Sequence, residues 1–188
     1  MELIRIYTIS LIVLASFSLK AQTTNYQVYS LYVVNIAKYS SWPTATGELH
    51  VTVFGKSKVY DELMKQNGKN VNGLILKVKQ VDNVNDIGTP QIVYLPDGRS
   101  SALEDILKIT NGKSVMIISE REGFHKRGAS FSFIVMENGT LRCDMNNTEL
   151  EKRQIKVSKN LSAVTNSTIS RFQFNLPIHV QNDRTVSI

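Results

Sequence analysis

Hydrophobic and polar positions along this chain change period several times, and each change marks an element. Over residues 25–41, Val28, Leu31, Tyr32, Ile36 and Tyr39 recur at three- and four-residue steps, which predicts one apolar face of a helix. Trp42-Pro43 is expected to end it, because proline disfavours helical geometry in the residue before it. Residues 49–54 alternate as a strand closed by Gly55. Ser57 is placed to cap a helix over 58–66, with Asp61 and Glu62 near its positive end and Asn67-Gly68 stopping it. Residues 73–81 predict a strand with Leu74, Leu76 and Val78 on one face, and 91–95 a short apolar strand. Ser101 to Glu104 reads as a capping box opening a helix to about Thr110. Residues 115–118 form a continuous apolar run of the kind buried on both faces, and 120–128 a charged loop bounded by glycine.

Two alternating segments, 129–137 and 140–145, flank Asn138-Gly139, the pair preferred in type I′ turns. A two-residue loop there sets Glu137 opposite Thr140, Met136 opposite Leu141 and Ile134 opposite Cys143. Cys143 then shares a face with Ile134, Met136, Leu141 and Met145, while Phe131, Phe133 and Val135 take the other. Helices are expected over 147–153 and 158–168. A β-like run at 172–176 lies in a tail that no pattern places. Alternating strands and helices predict an α/β fold: a Rossmann-like three-layer α/β/α sandwich, mostly parallel, with an antiparallel closing hairpin.

The N-terminus carries a different pattern. Arg5 precedes an apolar run from Ile6 to Leu19, and Lys20-Ala21 precedes a polar start at Gln22. A positive end, a short apolar core and a small residue at a cut site predict a secretory signal peptide cleaved near Ala21. The run is shorter than the ~18–20 residues that span a bilayer, and Thr8, Ser10, Ser16 and Ser18 interrupt it. The expected organisation is a signal peptide over 1–21, one domain over 22–168 and a tail of unknown role over 169–188. The destination is the periplasm, where ATP, NAD and chromosomal DNA are not ordinary partners.

Export changes how the charge is read. The chain carries a formal net charge of +6, and removing the leader leaves it basic. The basic residues are scattered, and outside the cytoplasm nucleic acid is not an expected partner. A solvated cationic surface is the ordinary reading, with attraction to anionic lipid or an acidic partner as the alternative. The single cysteine, Cys143, excludes an intramolecular disulfide. It reads as a buried small hydrophobe, with a reactive or intermolecular thiol as the alternative.

Catalytic constellations are not found. Gly55-Lys56-Ser57 follows a strand, but a phosphate loop needs a glycine where His50 stands. The three histidines, His50, His125 and His179, lack metal-ligand spacing, so no metal and no cofactor is implied. There is no Gly-x-Ser-x-Gly elbow, and Cys143 has no evident histidine partner. The chain reads as a protein that is not an enzyme.

Three segments resemble the YfiR-like family of periplasmic proteins. Residues 31–43 resemble its tyrosine-rich first helix and terminal Trp-Pro, with Ile36 where an aromatic residue is usual. Residues 119–128 carry its Gly-Phe and Gly as Gly123-Phe124 and Gly128. Residues 131–146 are similar to its hairpin, with Asn146 on the family's terminal Asn. Residues 155–163 resemble its closing helix. The resemblance implies an exported regulator that restrains a membrane signalling protein, such as a diguanylate cyclase of cyclic-di-GMP signalling, through its periplasmic region. A homodimer is implied by analogy alone. Some members carry disulfides, and redox control of that kind does not transfer to a chain with one cysteine.

Two functional readings follow. The first is a regulator binding a membrane cyclase or kinase, with Tyr39, Trp42, Pro43, Gly123 and Phe124 as contact candidates. The second is a small-ligand binding protein. Open α/β sheets bind ligands beyond the carboxyl ends of their strands, which selects Lys56, Ser57, Ser100, Ser119 and Arg121, with an anionic or amphoteric metabolite as ligand. A structural envelope protein with no signal output is the remaining alternative.

Overall fold

The computed structural model describes residues 26–135, 141–158 and 169–173. The signal peptide, the Asn138-Gly139 turn and the helix expected over 158–168 lie outside the described residues, apart from Ser158. The first described element is helix α1, residues 26–38. Its buried face is centred on Tyr32, Val33, Ile36 and Ala37, rotated from the expected face so that Leu31 is only half-buried and Tyr39 reaches solvent. The Ser40 hydroxyl bonds back to the Ile36 carbonyl at 2.7 Å. The next backbone groups then leave the helix: β1 (Ser40–Ser41) pairs antiparallel with β9 (Lys156–Val157). The helix therefore ends before Trp42-Pro43 is reached.

The remaining strands are β2 (Glu48–Phe54), β3 (Asn70–Val71), β4 (Leu74–Val81), β5 (Ile92–Leu95), β6 (Met116–Ser119), β7 (Phe131–Val135), β8 (Leu141–Asn146) and β10 (Ile169–Gln173). They form one sheet in the order β10-β8-β7-β6-β5-β2-β4-β3. The sheet is mixed. Its central ladders, β4-β2, β2-β5, β5-β6 and β6-β7, are parallel. The outer ladders, β3-β4, β7-β8 and β8-β10, are antiparallel, two more than the one closing hairpin expected. β10 carries the sheet beyond residue 168 and accounts for part of the expected β-like run.

Helices α2 (Lys58–Met64), α3 (Leu103–Ile109) and α4 (Asn147–Lys152) complete the fold. Ser57 caps α2 as expected, its side chain accepting from Val59 N–H at 3.1 Å. The capping box at Ser101 does not form. Residues Asp97–Ala102 wind as a 3-10 helix directly into α3, so that helix has no free N-terminus for Ser101 to cap.

Strand alternation divides the apolar side chains between two cores. Val51, Val53, Ile92, Tyr94, Met116 and Ile118 pack with Tyr32 and Ile36 of α1 and Val59 and Leu63 of α2. Val93, Leu95 and Ile117 pack with Leu103 and Ile106 of α3 and with Phe124. Thr52 is fully buried, and its hydroxyl finds no partner among the described residues.

The register of β7 and β8 differs from the expected one by a single residue. Phe133 lies opposite Cys143, Phe131 opposite Met145 and Val135 opposite Leu141. The pairing described ends at Val135 opposite Leu141, and residues 136–140, with Asn138-Gly139, lie outside the described residues. A slip of one residue moves one strand's side chains to the other face. Cys143 consequently packs with Phe131, Phe133, Leu141 and Met145, while Ser132 and Asp144 share the opposite face. A two-residue Asn-Gly hairpin occurs at Asn72-Gly73, which joins β3 to β4 with φ of 53° and 84° and sets Val71 opposite Leu74.

Candidate functional site

The parallel strands run in the order β4-β2-β5-β6-β7, so the chain reverses its direction of travel across the sheet between β2 and β5. Strand order of this kind leaves a crevice at the carboxyl ends of the strands flanking the reversal. Here it is a cleft of about 640 Å³. It gathers Lys56 and Ser57 after β2, Asp82 after β4, Pro96, Gly98 and Arg99 after β5, Glu120 after β6, and Tyr26 and Lys58 at the starts of α1 and α2. A groove of about 690 Å³ beside α4 and β9 is slightly larger, but one stretch of chain, residues 147–157, supplies all its walls. The switch-point cleft is the stronger candidate because five segments converge on it.

Gly55 shapes one wall. Its φ of +81° turns the chain sharply, and its N–H donates to the Val81 carbonyl at 2.7 Å. Arg99 lies over the bare Cα: a Cβ there would stand 2.5 Å from Nε. The Arg99 guanidinium also rests over the Phe54 ring at 5.9 Å and pairs with Asp82 at 3.1 Å.

Glu120 is the ionisable group set deepest in the cleft. Its Oε1 accepts from the Tyr94 hydroxyl at 2.7 Å and its Oε2 from the Asp97 N–H at 2.9 Å. Burial raises its pKa above the ordinary carboxyl value, and the two donors offset part of that rise. Burial and the nearby Glu120 charge likewise push Tyr94 well above 10, and Tyr29 up to about 12. Tyr29 is stacked on Phe133 with ring centres 5.3 Å apart.

The predicted ligand residues divide. Lys56 and Ser57 line the cleft. Ser100 is buried in the 3-10 turn, Ser119 is fully buried with Oγ accepting from Arg121 N–H at 3.1 Å, and Arg121 pairs outward with Asp97 at 2.6 Å. None of these three is part of the cleft lining. Strand ends alone miss Glu120, although it stands between Ser119 and Arg121.

The predicted partner residues also divide. Tyr39 is 37% exposed and Pro43 is exposed, whereas Trp42 is 7% exposed and packs into the α1 core. The Trp42 indole nitrogen has no partner among the described residues. Phe124, at 5% exposure, packs into the α3 core, and Gly123 and Gly128 bracket its turn with φ of 78° and 101°. The guanidinium groups of Arg121 and Arg127 lie 5.8 and 4.8 Å from the Phe124 ring. Trp42 and Phe124 thus belong to different cores and do not form one surface.

Behind that turn, His125 Nδ1 lies 2.7 Å from Ser132 Oγ and 3.6 Å from Asp144 Oδ2. Both neighbours meet the same ring nitrogen, and His125 is 1% exposed. A serine nucleophile needs the base's second nitrogen to be held by the acid, so this trio does not have the arrangement of a serine triad. Asn146 ties the region together: Nδ2 donates to the His125 carbonyl at 2.6 Å, and Oδ1 accepts from Glu149 N–H at 3.0 Å, capping α4.

These ties join the Gly-Phe turn to the end of the β7-β8 hairpin, two of the segments that carry the family resemblance. Residues 26–165 match the YfiR/HmsC-like family. The chain belongs to that family. No curated protein matches the sequence. Within the YfiR/HmsC-like domain, the motif residues Trp42, Phe124, Gly128 and Asn146 hold elements together. Trp42 closes the exit of α1, and Phe124 and Asn146 seat the loop over 123–128. A Cβ on Gly128 would press on Leu107 at 3.1 Å. Among the described residues, no group of three or more His, Cys, Asp or Glu could hold a metal, and no helix is long and apolar enough to cross a membrane.

Proposed function

We propose that this YfiR/HmsC-like protein is an exported, non-enzymatic regulator that binds the periplasmic part of a membrane signalling protein, a diguanylate cyclase or a kinase. Residues 1–21 direct export and are removed near Ala21; the domain that follows works in the periplasm as a Rossmann-like three-layer unit. The observation that carries this reading is the family match over 26–165. The regulator shifts its partner by binding one conformation more tightly than the other, since equal affinity would shift nothing. Direct contact falls to Tyr39 and Pro43, which reach solvent. Trp42, Gly123 and Phe124 act by holding the helix exit and the turn in shape. A second copy of the chain is a further partner of the same surface.

The test is capture of the tagged protein from cross-linked envelopes, read by mass spectrometry. Recovery of one membrane cyclase or kinase, lost in a folded Tyr39→Ala/Pro43→Ala variant, supports the reading. Failure to recover such a protein, with cyclic-di-GMP unchanged on deletion, favours a structural envelope role.

A second reading is favoured by the cleft: the protein also binds a small ligand, with Lys56 and Ser57 at the site and Ser100, Ser119 and Arg121 supporting its walls. Ligand and partner are compatible, because a ligand bound to one state tunes affinity for the partner.

A further inference from the structure

We infer that the cleft between the carboxyl ends of β2 and β5 is a site for a small zwitterion, its ammonium group against Glu120 and its acidic group against Lys56 and Lys58. The inference rests on the ligand reading and adds the chemical class. It starts from how the charges in the cleft are paired.

Arg99 is already neutralised by Asp82, and Arg121 by Asp97. Glu120 has no such partner: no lysine, arginine or histidine lies within 4.0 Å of it among the described residues. Its donors are a tyrosine hydroxyl and one backbone N–H, both uncharged. A carboxylate oxygen accepts two hydrogen bonds, so each oxygen keeps a lone pair for a ligand. Burial penalises this carboxylate, and a ligand cation would relieve the penalty. Lys56 and Lys58, which follow β2 and line the same cleft, also lack an acidic partner among the described residues. The Lys58 ammonium rests instead over the Tyr26 ring at 5.6 Å.

The cleft lining therefore holds, among the described residues, a carboxylate with no cationic partner after β6 and two ammonium groups with no acidic partner after β2, with β5 between those strands. A simple anion would meet Glu120 as a like charge, and a simple amine would meet the lysines. A molecule carrying both charges satisfies both. Tyr26 and Pro96 add apolar surface to the lining, and a volume of about 640 Å³ admits a small metabolite.

The test uses the purified protein at low salt, titrated calorimetrically with glycine, β-alanine, γ-aminobutyrate and ε-aminocaproate. Butyrate and butylamine are the single-charge controls. The expected result is one chain length that binds best, with each control roughly tenfold weaker or more, because one charge-assisted contact is lost. Glu120→Gln should weaken that ligand roughly tenfold while an unchanged amide NMR spectrum elsewhere shows the fold intact. Lys56→Ala with Lys58→Ala should do the same. Equal binding of butyrate and γ-aminobutyrate overturns the zwitterion but leaves a ligand site standing. Binding indifferent to Glu120→Gln places the ligand elsewhere and also overturns it. No binding of any compound at millimolar concentration overturns both this inference and the ligand reading, and leaves the partner reading to the capture experiment.

Discussion

Replacing Asn146 by alanine tests whether one side chain fastens the Gly-Phe turn to the hairpin. Asn146 spends its amide twice, accepting from Glu149 N–H at 3.0 Å and donating to the His125 carbonyl at 2.6 Å. α4 has only six residues, so it has little to compensate for a lost cap. Loss of an Asn cap costs about 1 kcal/mol. The carbonyl of buried His125 would lose this donor, costing about 1–3 kcal/mol. The sum is about 2–4 kcal/mol, a fall in Tm of roughly 5–15 °C for a domain of this size. Urea unfolding followed by fluorescence of Trp42, the single tryptophan and a buried one, measures it directly. Asn146→Asp separates the two parts, since it keeps the capping acceptor and removes the donor. A loss in Asp matching that in Ala assigns the cost to the His125 tie, and a small loss assigns it to the cap. A fall in Asn146→Ala below about 0.5 kcal/mol would refute the reasoning, because water would then satisfy both groups.

Three further outcomes are expected. Arg153 is buried, with Nε on Glu149 at 2.7 Å and Nη1 on the Thr110 and Val115 carbonyls at 3.1 and 3.0 Å. Arg153→Ala should cost about 3–5 kcal/mol in urea unfolding, and near wild-type stability would count against it. Glu120 keeps its proton to a higher pH folded than unfolded, so the native state binds more protons and stability falls as pH rises from 4.5 through the folded pKa. Glu120→Gln should shrink that fall, read as the urea midpoint at pH 4.5 against neutral pH; an unaltered pH profile would show that Glu120 is not its source. Burial raises the Cys143 thiol well above its ordinary pKa, so a thiol reagent should label it only after denaturation, and rapid native labelling would contradict the packing.

Element positions were largely legible because the period of the apolar residues is a local property. β2, β4, β5, β6 and α2 lie within two or three residues of where the pattern put them. Turn chemistry was less legible, because the same dipeptide does different work in different surroundings. Asn-Gly lies in the turn after α2 at 67–68 and closes a two-residue hairpin at 72–73, while the register that 138–139 suggested is not the one β7 and β8 adopt. The register of β7 and β8 was nonetheless open to a better reading. Ser130, Phe131, Ser132 and Phe133 alternate strictly, as do Leu141, Arg142, Cys143, Asp144 and Met145. Setting Phe133 opposite Cys143 sends the phenylalanines and Met145 to one face and Ser132 and Asp144 to the other. Setting Ile134 opposite Cys143 mixes the two. The apolar alternation outweighs the turn signal because it is repeated along both strands, whereas the turn acts once.

The miss at the cleft has the same origin. The carboxyl end of β6 is legible in the sequence, yet strand ends point to Ser119 and Arg121 and not to Glu120. In a strand, neighbouring side chains leave opposite faces. Ile118 packs beneath α1 and α2, so Ser119 turns away to the α3 side and Glu120, continuing the alternation, returns to the side of Tyr94, Tyr29 and Tyr26. Lys58 opens α2 on that same side. The Glu120 side of the cleft therefore belongs to the face of the sheet that α1 covers, whereas Arg99 rests over Phe54 of the α3 core. Strand ends combined with parity select Glu120, whereas strand ends alone select Ser100, Ser119 and Arg121, which do not line the cleft. The helix that carries the family resemblance also supplies Tyr26 to the cleft. A ligand held against Glu120 would thus press on the same helix whose far end presents Tyr39 and Pro43. That shared helix is the physical route by which the ligand and partner readings would be coupled.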